Sequence, residues 1–138
     1  MAGHFVGWLL HPDDRARLLT LFPPVYPRVV AHHVTLKAGV SAQFPLPRET
    51  EGVVVGMAGD GRGVQALVVE IGGANRRPDG SIFHITWSLA PGRKPVESND
   101  VIRQFGWTAA AQRHPIRIEP RIFASGQRSA SGTLPSQK

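Results

Sequence analysis

The sequence predicts an α+β fold whose sheet is mainly antiparallel. Its 138 residues suffice for one domain with a core that needs neither disulfide nor metal. A hydrophobic content of 41% and a charged content of 19% are typical of a globular chain. Six strand-like and two helix-like segments follow in the order β-α-β-β-β-β-α-β, which favours antiparallel pairing. We expect one domain over residues 1–123 and a flexible tail, rich in Ser, Gly and Gln, over 124–138.

The first half of the chain predicts two strands separated by a short helix. The apolar run 4–10 reads as the first strand. Residues 11–14 (HPDD) supply a turn and the acidic start of a helix that continues over 15–22, and two prolines at 23–24 end it. Residues 28–37 (RVVAHHVTLK) alternate and are rich in β-branched side chains, so they predict the second strand.

The second half predicts a hairpin followed by a strand, a helix and a last strand. Two apolar runs, 52–57 and 64–71, flank the glycine-rich segment 59–63, which is typical of a hairpin turn. Ser98 or Asn99 is the expected N-cap of the helix. The three elements after the hairpin are expected at 81–89 (strand), 98–105 (helix) and 115–123 (strand).

Composition and charge exclude several classes of site. The chain has no cysteine, which excludes disulfide frameworks, thiolate zinc sites and cysteine nucleophiles. Its net charge is +6, and most of the excess lies in residues 111–138, which hold five basic residues and one acidic residue. The mildly basic body favours an anionic ligand. The apolar run 5–10 is too short for a signal core, so we expect a cytoplasmic monomer with no membrane segment.

One short motif occurs twice, and both copies fall in predicted strands. The segments 33–36 (HVTL) and 84–87 (HITW) fit the pattern His-x-Thr-hydrophobic, for which composition alone predicts fewer than one match. Alternation along a strand places His33 and Thr35 on one face, together with Ala31 and Lys37, and places His84, Thr86 and Ser88 on one face of the other strand. The opposite faces carry Val30, His32, Val34 and Leu36 on the first strand, and Phe83, Ile85, Trp87 and Leu89 on the second.

Two histidines and two threonines on one site suit the chemistry of a phosphodiester. One imidazole takes a proton from the attacking water or hydroxyl, and the other protonates the leaving oxygen. The threonine hydroxyls donate to the non-bridging oxygens, where negative charge grows in the transition state. This scheme needs no metal or other cofactor, and the sequence contains no His-Glu-x-x-His motif and no acidic cluster.

With these motifs the sequence resembles the 2H phosphoesterase superfamily, whose members carry two His-x-Thr/Ser motifs on strands that line a cleft between two lobes. Within that superfamily it is similar to the cyclic phosphodiesterase domain of fungal and plant tRNA ligases. The resemblance extends roughly over residues 4–123, and the spacing of 51 residues between His33 and His84 indicates a compact member. The similar segments are 31–36 (AHHVTL), 67–72 (LVVEIG), 81–89 (SIFHITWSL) and 94–99 (KPVESN).

This resemblance implies a compact bilobal fold with two outer helices and a central cleft. It implies His33 and His84 as the acid/base pair, and Thr35 and Thr86 as phosphate binders. It also implies a metal-independent hydrolase that opens 2′,3′-cyclic phosphates of RNA ends or nucleotides, most often to 2′-phosphates, in RNA repair or processing. Hydrolysis of other cyclic or 2′-5′-linked nucleotides, and a non-catalytic RNA-binding module, are the alternatives.

Other residues are candidate substrate contacts or core residues. Lys37 and Ser88 lie two residues beyond each threonine and are candidate substrate contacts, as is Arg77, which could hold a phosphate from its loop. Tyr26 is a candidate for stacking on a base. We expect His32, on the apolar face, to be a hydrogen-bonded core histidine. Trp8 and Trp107 could also stack on a base, but we assign both to the core.

Overall fold

Seven strands and two helices make up residues 3–124, the part of the chain that the computed structural model describes. The predicted tail therefore lies outside the described residues, apart from Ala124. The elements are β1 (His4–Leu10), α1 (Pro12–Leu21), β2 (Arg28–Val29), β3 (His33–Val40), β4 (Glu51–Gly59), β5 (Val64–Glu70), β6 (His84–Leu89), α2 (Glu97–Phe105) and β7 (Thr108–Ala124).

The strands belong to one antiparallel sheet that closes into a barrel. Their order is β2-β6-β3-β1-β7-β4-β5, and a further pairing between β5 and β6 closes the ring. The α+β class with mainly antiparallel pairing is thus confirmed. The two lobes that the resemblance implies are not present as separate sheets, because all seven strands share hydrogen bonds in one sheet.

Alternating side chains of the strands fill the barrel. The interior cluster includes Trp8 and Trp87, which are almost fully buried, and α1 adds Leu18 to it. The other helix packs on the outside of the barrel, where Ile102 contacts a second cluster with side chains of β4 and β5. The core assignment is confirmed for Trp8 and wrong for Trp107. Trp107 is 37% exposed and lies over Gly56, whose missing side chain leaves room for the indole.

The predicted strand 28–37 is interrupted in its middle. Its first part ends at Val29 as β2, and its second part begins at His33 as β3. Between them Ala31 adopts a φ of 47°, a left-handed conformation that non-glycine residues seldom adopt. Because of this break, two side chains point to the opposite sides from those predicted. Ala31 is buried in the interior cluster, whereas His32 is exposed, so its assignment to the core is wrong.

Element ends differ from the predictions by a few residues. Helix α1 begins at Pro12, and His11 is its N-cap: the imidazole Nδ1 accepts a hydrogen bond from the Asp13 amide at 3.1 Å. Helix α2 begins at Glu97 with Val96 at the N-cap position, so the capping role expected of Ser98 or Asn99 is wrong. Strand β7 is 17 residues long and begins well before the predicted strand. Neither helix is long and apolar enough to cross a membrane.

Candidate active site

The two His-x-Thr motifs are cross-strand neighbours. Strands β3 and β6 pair antiparallel, with Val34 opposite Ile85, the central residue of each motif. Both side chains are fully buried in the interior cluster. Because side chains alternate along a strand, the residues that flank each of them project from the outer face of the barrel. The structure therefore brings the histidine and threonine of both motifs onto one outer face.

His84 is held in one tautomer by the backbone. Its Nδ1 lies 2.9 Å from the carbonyl oxygen of Ile82. A carbonyl can only accept, so Nδ1 carries the proton and Nε2 has the lone pair in the neutral ring. Burial lowers the pKa of His84, the positive charge of Arg77 lowers it further, and the Ile82 carbonyl partly offsets both. His84 in the ligand-free protein is therefore suited to accept a proton at Nε2.

His33 lies among aromatic rings at the other end of the motif pair. Its ring centroid is 5.0 Å from that of Phe5 and 5.1 Å from that of Phe123. Its Nδ1 is 3.0 Å from the Nδ1 of His32. Burial, together with the nearby His32 and His84, lowers the pKa of His33 to about 3. The ring is therefore neutral at pH 7 in the ligand-free protein.

The two threonines of the motifs are in different environments. Thr86 Oγ1 donates to the carbonyl oxygen of Pro95 at 3.2 Å and shares a hydrogen bond of 2.9 Å with Ser98 Oγ. Thr86 and Ser98 are both buried. Thr35 is half-buried, and within residues 3–124 its hydroxyl has no hydrogen-bond partner. Thr35 thus offers a free donor on this face, whereas Thr86 joins β6 to the first turn of α2.

Three polar atoms of the motifs have no hydrogen-bond partner among the described residues. They are the Nε2 atoms of His33 and His84, whose Nδ1 atoms are the ones engaged, and the hydroxyl of Thr35, which contacts Arg77 only through its carbonyl. Two proton-transfer groups and one hydroxyl donor of this face are therefore available to a ligand.

Arg77 lies at the edge of the motif face and ties three segments together. Its guanidinium donates to Ser81 Oγ at 2.5 Å, to the Thr35 carbonyl at 3.3 Å and to Asn99 Oδ1 at 2.8 Å. It is buried, and Asp79 lies 3.7 Å away. The Arg77 side chain is thus held in place by these contacts, and its positive charge lowers the pKa of His84 without a direct hydrogen bond. The contacts of Asn99 could be found only from the tertiary structure, because sequence reasoning assigned Asn99 to a helix cap.

The other candidate contacts lie at the borders of this face. Ser88 is fully buried, donates to Gln65 Oε1 at 2.5 Å and accepts from the Tyr26 amide at 3.2 Å, so none of it is exposed to a ligand in this conformation. The backbone of Tyr26 is thus held beside Ser88, which lies two residues after Thr86 on β6. Lys37 is exposed beyond a register shift between β1 and β3, with its ammonium 5.5 Å from the ring centroid of Phe44.

Two surface cavities lie away from the motifs. One, of about 470 Å³, is lined by residues such as Asp14 and Arg117, and another, of about 330 Å³, by residues such as Arg93 and Glu97. Neither contains a paired histidine and threonine, so we assign the candidate site to the motif face, the outer side of β3 and β6 that carries His33, Thr35, His84 and Thr86. Among the residues that the structure describes, no group of three or more His, Asp or Glu side chains is gathered as in a metal site.

The chain was compared with known proteins. No protein-family model matches it, and neither the curated proteins nor the solved structures give a significant match.

Proposed function

We propose that this protein is a cyclic phosphodiesterase that hydrolyses 2′,3′-cyclic phosphates on RNA ends or nucleotides. The observation that carries the proposal is the antiparallel pairing of the two motifs about Val34 and Ile85. Because the strands are antiparallel, this pairing relates the histidine and threonine of one motif to those of the other by an approximate local two-fold axis. A single phosphate between the motifs would meet an acid/base group from each strand.

In the proposed reaction His84 Nε2 takes a proton from water as the water oxygen attacks phosphorus. The P–O3′ bond breaks, and His33 in its protonated form gives its proton to the leaving O3′ oxygen. One water is added, and the product is a 2′-phosphate with a free 3′-hydroxyl. The choice of O3′ as leaving group comes from the resemblance to the tRNA ligase domains.

His33 must be protonated to act as the acid, although its pKa is about 3 in the ligand-free protein. A bound cyclic phosphate carries a negative charge, which favours the imidazolium and raises this pKa. The charge of Arg77 at the border of the site also favours an anion there. In this proposal His33 therefore becomes protonated, and able to act as the acid, only when the phosphate is bound.

The two threonines take different parts in this proposal. The free hydroxyl of Thr35 donates to a non-bridging oxygen of the phosphate. Thr86, whose hydroxyl is engaged with Pro95 and Ser98, holds the first turn of α2 beside His84. The resemblance gives both threonines the same role, and their different hydrogen bonds favour separate ones.

The test is hydrolysis of 2′,3′-cyclic mononucleotides and of RNA ending in a 2′,3′-cyclic phosphate, followed by chromatography of the products. We expect a single regioisomer, since only one leaving oxygen can face the protonated histidine in one bound pose. His33→Ala and His84→Ala should each lower kcat by roughly 10²- to 10⁴-fold. His114→Ala, a change on β7, is the matched control and should keep full activity.

Other results would change the proposal in defined ways. A mixture of 2′- and 3′-phosphates would contradict a fixed in-line pose. Turnover of other cyclic or 2′-5′-linked nucleotides alone would keep the acid/base pair and change the substrate. Binding of RNA without any turnover would contradict the enzymatic proposal in favour of a binding module.

A further inference from the structure

We propose that His32 is a positioning residue for His33: it accepts a hydrogen bond from His33 Nδ1–H and so keeps the reactive position of His33 at Nε2. The inference rests on the proposed function, because it assigns the tautomer of one of the two acid/base histidines. The observation behind it is the 3.0 Å distance between the two Nδ1 atoms.

Two neutral imidazoles at this distance can bond in only two ways. Either His33 donates from Nδ1 and His32 accepts, or the reverse. If His33 accepted at Nδ1, its neutral ring would carry its proton on Nε2, and Nε2 would have no lone pair to take a proton. If His33 donates, Nε2 is free to gain a proton and then to release it to a leaving oxygen. Only the second arrangement supports a role in catalysis.

The surroundings of the pair favour a neutral His32. Partial burial of the ring lowers the pKa of His32, and the positive charges of Arg15 on α1 and Arg121 on β7 lower it further, although the residue keeps exposed surface. His84 on β6 is the titratable group that faces His33 from the neighbouring strand. A neutral His32 keeps the lone pair that His33 needs. Its side chain is exposed, so its Nε2–H can be hydrated by water.

The backbone before the pair is built to bring the two rings together. In an unbroken strand His32 and His33 would point to opposite faces. The left-handed Ala31 removes this alternation, and two contacts hold it: the Ala31 amide donates to the Thr86 carbonyl at 2.9 Å, and Arg15 Nε donates to the Ala31 carbonyl at 2.8 Å. Such a conformation is strained for a residue that has a side chain, so it persists only where its surroundings enforce it.

The first test reads the tautomer directly, without any substrate. Long-range ¹H–¹⁵N spectra of the ¹⁵N-labelled full chain at pH 7.5 distinguish protonated from unprotonated ring nitrogens. We expect His33 in the wild type to be protonated at Nδ1. His32→Asn places an amide oxygen near the position of Nδ1 and should preserve this state. His32→Leu removes the acceptor and should shift His33 towards the Nε2–H form, whereas the control His114→Leu should not.

The second test is activity of the same variants on 2′,3′-cyclic mononucleotides. His32→Leu should lower kcat at least about tenfold, but by less than loss of His33 itself, because a positioning residue acts only through the group it orients. His32→Asn should restore most of that loss, and His114→Leu should change nothing. Equal losses for the Leu and Asn variants would overturn the proposal.

The two tests separate this inference from the proposed function. A wild-type His33 protonated at Nε2, or a His33 tautomer unchanged by His32→Leu, would overturn the inference whatever the activity. If no cyclic phosphate is turned over, the proposed function fails, and the spectra still decide whether His32 orients His33.

Discussion

The side chain of Val34 on β3 lies directly opposite that of Ile85 on β6, and both are fully buried inside the barrel. This pair fixes the register at which the two His-x-Thr motifs meet. A shift of β6 by one residue would turn His84 and Thr86 towards the interior and place an apolar side chain on the outer face. The burial of two apolar side chains thus stabilises the arrangement of four polar ones on the opposite face.

The first prediction distinguishes the roles of Thr35 and Thr86. Thr35→Val should lower kcat/KM for a cyclic phosphate and leave the melting temperature unchanged, because the Thr35 hydroxyl has no partner within residues 3–124 and only the Thr35 carbonyl is engaged, by Arg77. Thr86→Val should lower the free energy of unfolding by about 1–3 kcal/mol, since it leaves Ser98 and the Pro95 carbonyl without their buried partner. Steady-state kinetics and thermal unfolding check both. The opposite pattern would contradict the assignment of Thr35 as the phosphate contact.

The second prediction concerns the pH dependence of catalysis. The pKa of His33 is about 3, and that of His84 is also below its usual value of 6.5. The profile of kcat/KM reports the pKa values of the free protein, so it should be bell-shaped and should already fall as the pH rises above about 6.5. Rates on a cyclic mononucleotide across the histidine range check this. A rate that only rises over that range would exclude the acid/base pair.

The third prediction concerns the pH dependence of stability. Where the pKa of a histidine is lower in the folded than in the unfolded state, the unfolded chain binds more protons between the two values, so stability falls as the pH falls. For His33 this window extends from about 6.5 down to about 3. Between pH 6.5 and 5 the carboxylates stay ionised in both states, and the loss there comes from the histidines. His33→Gln should make this loss smaller, as measured by urea unfolding at each pH.

An equal dependence on pH in the wild type and in His33→Gln would contradict the buried, neutral state of His33. Asp14 provides a check at lower pH. Hydrogen bonds from Arg117 and Arg17 outweigh its burial and lower its pKa, so its contribution is lost as the pH falls below its ordinary value of 3.8. Asp14→Asn should therefore lower the free energy of unfolding at neutral pH, change the slope of the curve only in the acid range of the carboxyl, and leave the slope between pH 6.5 and 5 unchanged.

The fourth prediction tests the break between β2 and β3. Ala31→Val places a β-branched side chain at a φ of 47° in a fully buried position, so it should destabilise the fold by about 2 kcal/mol or more. Ala38→Val, at an exposed position of β3, is the matched control and should change stability by no more than about 0.5 kcal/mol. Chemical unfolding checks both. Equal effects would show that the left-handed conformation of Ala31 is not required.

Much of the fold and of the site could be predicted from the sequence because it depends on local periodicity. The order of strands and helices was correct except that the predicted strand 28–37 is two strands, and the alternation of polar and apolar residues placed His84 and Thr86 on the face opposite Ile85. The same alternation failed over 28–37, because it assumes an unbroken strand. The position of His32 depends on the left-handed conformation of Ala31. A pattern of alternating residues cannot predict such a conformation.

The sequence by itself determined that two His-x-Thr pairs lie on strands with an apolar residue between them, since side-chain alternation is a property of the strand alone. Only the tertiary structure decided that the two strands are neighbours in one closed barrel, that Thr86 is engaged while Thr35 is free, and that His32 lies against His33. These facts depend on hydrogen bonds between residues that are distant in the chain. Arg15 donates to the Ala31 carbonyl, the Ala31 amide donates to the Thr86 carbonyl, and the hydroxyls of Ser98 and Thr86 share a hydrogen bond. Packing of distant segments sets them, and local sequence does not encode which segments will meet.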